Sequence, residues 1–200
     1  MTEDSVRDEI AFIRRAIERG RGYAVARSPD FIVWGLAVAI AYLGTYAVIR
    51  GWWRANPGWL WAACLLAPWV YTLRRPLRHW LFRSGDWSDI PPMGRALGMV
   101  WIGCGIFLTA LAVPAAIAGD MRWFAAVVAG TMGIGFFASA FLCNLPWMRW
   151  VAATWWLAEI AAYVLRNRTE VLVLMAIFML LLFVLPGVVV MRSRPTPVNA

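Results

Sequence analysis

Apolar residues run along this chain in six long blocks separated by short polar or charged stretches: Phe31–Ile49, Pro57–Leu73, Leu97–Ala118, Trp123–Cys143, Trp147–Leu165 and Val171–Met191. At a helical rise of about 1.5 Å per residue, a block of roughly 20 residues crosses a hydrocarbon core of about 30 Å; the second block only just does so. None shows the period-two alternation of a barrel strand, and a backbone in lipid must satisfy its own hydrogen bonds, so each block reads as a helix. The pattern predicts an all-α polytopic membrane protein, with a six-helix transmembrane bundle over residues 29–192 and a tail over 193–200. Because the second block is short, five helices is the main rival.

Ahead of the first block the pattern changes. Val6, Ile10, Ile13 and Ile17 recur at spacings of four, three and four, which predicts an amphipathic helix within residues 1–28 with one apolar stripe. Arg7, Arg14, Arg15 and Arg19 flank the stripe, Asp4 or Ser5 can cap the helix, and Asp8 and Glu9 suit its first turn. Gly20 and Gly22 weaken it, and Ser28-Pro29-Asp30 starts the next helix with Ser as cap and Pro in the first helical position. Such a stripe can lie among lipid headgroups with its arginines on anionic lipid, or dock a cytoplasmic protein partner. The six acidic residues before the first block exceed what lipid binding needs, which keeps the partner in view.

The longest connection, Arg74–Ala96, interleaves Arg74, Arg75, Arg78 and Arg83 with Trp80, Leu81 and Phe82. Beside a span, that mixture predicts a short helix lying on the anionic inner leaflet. Asp86 and Asp89 follow, and Pro91-Pro92 leads into the third block. Asn144-Leu145-Pro146 reads as a tight turn.

Composition sharpens this picture more than it changes it. Hydrophobic residues make up 62% of the chain, which places it in a bilayer. The net charge of +8 comes from nineteen arginines and no lysine, lying between the blocks or at their ends. With the N-terminus inside, fourteen arginines face the cytoplasm and five the outer side, so both termini are expected in the cytoplasm of a bacterial inner membrane. The charge therefore sets orientation and lipid contact, with no direct nucleic-acid role. Most of the fourteen tryptophans gather at block ends, as an aromatic belt does. Trp155 and Trp156 break that pattern, deep in the fifth block.

Glu159 is the only charged residue well inside any block. An ionised acid near the membrane centre costs about 3 kcal/mol, so neighbours must cover it or it must be held neutral. Helical spacing sets Trp155, Glu159 and Tyr163 along one face, with Arg166 farther along the same side; these four are the candidate ligand or proton site. The structural alternative is a Glu159 hydrogen-bonded to a Tyr or Thr of a neighbouring helix. Ala126 and Gly130, four apart, predict close helix approach, and Pro68, Pro114 and Pro186-Gly187 could kink their spans. Cys64, Cys104 and Cys143 lie within blocks without CxxC spacing, and His79 is the single histidine, so neither a disulfide, a metal site nor a cofactor is expected. No HExxH, GxSxG or Ser–His–Asp set occurs, which points away from an enzyme.

Glu9-Ile-Ala-Phe-Ile-Arg-Arg15, followed by Ile17-Glu18 and Gly20-Arg21 shortly before an apolar run, resembles the start of a group of small uncharacterised bacterial multi-pass membrane proteins, some encoded beside winged-helix regulators. The likeness extends to about Tyr46 and carries no catalytic residue. It implies a cytoplasmic helix coupled to a helical bundle, with a soluble partner. The leading expectation is a non-enzymatic accessory or regulatory inner-membrane protein that contacts a cytoplasmic partner through its N-terminal helix. The alternative is a small carrier or substrate-binding membrane subunit built around Glu159; in size and helix count the chain resembles the substrate-binding components of energy-coupling-factor vitamin transporters. Small-residue faces would serve self-association into a homo-oligomer as well as packing within one chain.

Overall fold

The computed structural model describes residues 28–82, 92–118 and 122–192, side chains excepted at 75–82, 92 and 113–118. The described residues are helical, with no strand, and form six helices: α1 Ser28–Ile49, α2 Pro57–Phe82, α3 Pro92–Ala118, α4 Phe124–Leu142, α5 Met148–Val164 and α6 Glu170–Arg192. Each helix matches one apolar block. Four are long and apolar enough to cross a membrane, namely α1, α3 over Met93–Ala112, α4 and α6, as befits a membrane-embedded protein. The other two fall short for different reasons. With 17 residues α5 is about 25 Å long, under the usual core thickness, and α2 is apolar only in its first two-thirds.

Two boundaries differ from the sequence expectation. No separate helix begins at Arg74, because α2 continues unbroken through Arg75 and Arg78 to Phe82. Pro76 removes one backbone N–H and disfavours helix at Arg75, yet the helix runs through it; hydropathy marks where lipid should stop, not where the backbone does. Likewise α3 begins at Pro92, five residues before the apolar block, since Pro is at home in a first helical turn.

Helix ends follow local chemistry. At the end of α1 the Trp52 N–H donates to the Ala47 carbonyl and the Gly51 N–H to that of Val48, with Gly51 at φ 75°. This is the six-to-one and five-to-two closure that a left-handed residue after a helix allows. The α4 terminus repeats it with Asn144 at φ 51°, the Leu145 N–H donating to Ala140 and the Asn144 N–H to Phe141. The tight turn expected at Asn144-Leu145-Pro146 is thus present. Asn56 caps α2, its Oδ1 accepting the Gly58 N–H at 2.8 Å, with Pro57 at the first helical position.

Consecutive helices run antiparallel, and tryptophan N–H groups latch them. Trp34 Nε1 of α1 donates to Thr72 Oγ1 of α2 at 3.0 Å, and Trp61 of α2 returns a bond of 3.0 Å to Thr45 Oγ1. Trp101 of α3 donates to Ser139 Oγ of α4 at 3.1 Å, and Trp155 of α5 to the Leu182 carbonyl of α6 at 3.2 Å. Thr45 and Ser139 pass their own protons to carbonyls one turn back, at Ala41 and Gly135, so each hydroxyl both accepts and donates. In lipid, such interhelical bonds contribute about 0.6–2 kcal/mol each.

The core is closed at one end by four mutually touching rings from four helices: Phe31 of α1, Trp101 of α3, Phe136 of α4 and Phe183 of α6. All their pairwise centroid distances fall between 5.0 and 5.9 Å. Beside them α1 and α6 come together, a Cβ at Gly187 falling 3.0 Å from Phe31 Cβ and 3.2 Å from the Ser28 carbonyl. At the opposite end Arg50, just after α1, lies 3.6 Å from Glu170 at the start of α6. The first and last described helices are therefore antiparallel neighbours, and the two ends of the described chain leave from the same side. α4 is the most enclosed span and α3 the least, its window only 6% buried.

Candidate functional site

Among helices α3 to α6, α5 packs on α4 most closely, and small residues are the reason. Ala152, Ala158 and Ala162 of α5 are buried, as are Ala126, Ala129, Gly130 and Gly133 of α4. The close approach expected around Ala126 and Gly130 is what the two helices make. Into this seam project two large side chains. The Trp156 indole lies against Gly133, leaving no room for a Cβ there, and tilts against Phe137 at 5.5 Å. The Glu159 carboxyl lies on Gly130, where a Cβ would sit 2.8 Å from the carboxyl carbon and from both oxygens.

Glu159 is half-buried, and among the described residues it takes part in no hydrogen bond or ion pair. The expected bond to a Tyr or Thr of a neighbouring helix is not made. Thr131, beside Gly130, donates instead to its own helix at Val127. Trp156 Nε1 likewise has no acceptor among the described residues. Sequence reasoning missed Trp156 as a neighbour of Glu159; the signal available was its position three residues earlier, one turn away on the same side of α5.

The four nominated residues do not converge. Trp155 is fully buried and faces α6, its N–H on the Leu182 carbonyl and its ring 6.4 Å from that of Phe178. Glu159 faces α4, while Tyr163 is 55% exposed. Arg166 stacks on the Tyr163 ring at 4.4 Å and donates to the Tyr163 carbonyl, away from Glu159. A spacing of four overshoots a 3.6-residue turn by about 40°, so the face drifts by about 80° from Trp155 to Tyr163. That drift takes the stripe from the core to the surface.

What Trp155 does is structural and specific. Pro186 has no N–H, so the carbonyl four residues back, Leu182, loses its usual helical donor. Around it α6 widens into a π-helical turn, Leu180–Val184, with the Leu185 N–H donating to Leu180. The Trp155 N–H reaches across from α5 and takes the exposed Leu182 carbonyl. Of the prolines expected to disturb their spans, Pro186 thus lies next to a π-helical turn.

The remaining nominated residues lie elsewhere. Val6, Ile10, Ile13 and Ile17, together with Arg83, lie outside the described residues. Arg74 stacks on Tyr71 at 3.9 Å, and Arg75 and Arg78 are helical positions of α2. Arginine stacked on a tyrosine three or four residues earlier recurs at Tyr46–Arg50 and Tyr163–Arg166. Cys64 and Cys104 are half-buried and Cys143 buried, all as free thiols, and no group of three His, Cys, Asp or Glu gathers among the described residues. No family model, curated protein or solved structure matches the chain.

Proposed function

We propose that this is a non-enzymatic accessory or regulatory protein of the bacterial inner membrane, its six helices all crossing the bilayer and both termini in the cytoplasm. In this reading residues 1–28 form the amphipathic helix that contacts a cytoplasmic partner through Val6, Ile10, Ile13 and Ile17, while Arg74, Arg75, Arg78 and Arg83 hold the same face to anionic lipid. The observation that carries it is a filled interior. Four aromatic rings close one end, glycines seat the side chains of neighbouring helices, and the void among Phe31, Phe136, Ser139 and Val190 measures about 10 Å³, room for about one water. A closely packed bundle whose first and last described helices end on one side suits a platform better than a carrier. Native mass spectrometry of protein gently extracted from its own membrane, with and without residues 1–27, tests this. A bound protein lost on truncation supports the platform; a bound small molecule that survives truncation rejects it.

A second reading is favoured by one observation. Glu159 puts a carboxyl on a bare glycine with no partner from the chain itself, the arrangement of a group awaiting a ligand or a proton. On that reading the protein is a small substrate-binding membrane subunit, with the site in the α4–α5 seam.

A further inference from the structure

The seam between α4 and α5 holds two polar groups without partners, one turn apart. The Glu159 carboxyl lies on Gly130 and the Trp156 indole on Gly133, so both side chains occupy space that two glycines leave open. Neither is fully covered. The residues flanking them, Phe137 at 41%, Ile160 at 62% and Tyr163 at 55% exposure, are apolar or aromatic and would meet lipid in a membrane. No basic residue occurs on α4, and those nearest on α5 are Arg149 at its far end and Arg166 beyond it, the latter stacked on Tyr163. Among the described residues none pairs with the Glu159 carboxyl.

We propose that this seam binds a hydrophobic organic cation arriving from the bilayer, with Glu159 supplying the counter-charge and Trp156, backed by Phe137, the aromatic surface. The proposal rests on the second reading above and gives it a ligand class. A cation beside a carboxylate in a low-dielectric seam relieves the desolvation of both, and an indole face adds attraction of its own. Depth fits as well. Glu159 lies five residues before the end of α5, about 7–8 Å along the helix, within reach of a molecule whose polar end stays near the headgroups. The unpaired Trp156 N–H offers one donor, so an amine that also carries an acceptor oxygen suits the site best.

The test uses the full chain in phosphatidylcholine nanodiscs with tritiated tetraphenylphosphonium. Saturable binding is expected, about thirty-fold or more weaker in Glu159→Gln and several-fold weaker in Trp156→Leu, with tetraphenylborate, of the same shape and opposite charge, failing to compete. Equal binding in Glu159→Gln overturns the proposal, as does absence of binding to the wild type. In the latter case tryptophan emission followed against pH separates the two ideas. A change that Glu159→Gln abolishes leaves Glu159 as a site and removes only the cation; no such change removes both.

Discussion

Replacing Trp155 with Phe removes the indole N–H that reaches the Leu182 carbonyl while leaving an aromatic ring in the core. The wild-type bond is 3.2 Å, and the carbonyl needs it because Pro186 supplies no N–H. Losing an interhelical bond in lipid costs about 0.6–2 kcal/mol, and shrinking a fully buried ring adds about 1 kcal/mol, so the expected loss is about 1.6–3 kcal/mol. The same variant in a Pro186→Ala background should cost about 1 kcal/mol less, because the new N–H at position 186 can serve Leu182 in place of the indole. Reversible unfolding in mixed micelles titrated with dodecyl sulfate, followed by circular dichroism, measures all four corners of the cycle. If Trp155→Phe costs the same in both backgrounds within about 0.3 kcal/mol, the carbonyl-capping argument is wrong and Trp155 acts by packing alone.

Glycine substitutions should sort by what lies opposite them. Gly133→Ala drives a Cβ into the rigid Trp156 indole and should cost about 1–3 kcal/mol, whereas Gly103→Ala, with nothing within 4 Å, should gain about 0.5–1 kcal/mol in the same titration. Gly130→Ala should be cheaper than Gly133→Ala, since the carboxyl end of Glu159 can swing away. Thr45→Val strips the acceptor from the Trp61 N–H and should lower stability by about 1 kcal/mol. Ile10→Asp with Ile13→Asp should release a cytoplasmic partner in cross-linking from intact membranes without altering the unfolding midpoint of the bundle; undiminished cross-linking would rule out the stripe as the contact.

Hydropathy and turn chemistry carried most of the fold. Block length foretold each helix, Asn144 marked the end of α4, and Ala126 with Gly130 pointed to close helix approach. Long-range register was not legible. That Glu159 meets Gly130 and Trp156 meets Gly133 depends on how α5 slides along α4, which neither sequence states alone. The Trp155–Leu182 bond has the same character: Pro186 announces a missing donor, yet nothing local says which helix provides a substitute. The side chains of Trp155, Glu159 and Tyr163 do not converge, because an equal spacing of four winds around the helix. Charge patterning proposed orientation, whereas the contact of α1 with α6 at Gly187 fixes only that these two described helices are antiparallel neighbours.

The most direct measurement is thiol accessibility in native membranes, using single cysteines in an otherwise cysteine-free chain at Ala55, Asn144 and Asn167 and in the tail at Ser193. With a membrane-impermeant maleimide added from outside, labelling at positions 55 and 167 and protection at 144 and 193 is the pattern that six spans with both ends inside require. Protection of 167 together with 144, with 193 labelled, would mean that the 17-residue α5 does not cross, and labelling of 193 with protection of 55 would reverse the orientation; either result contradicts the account.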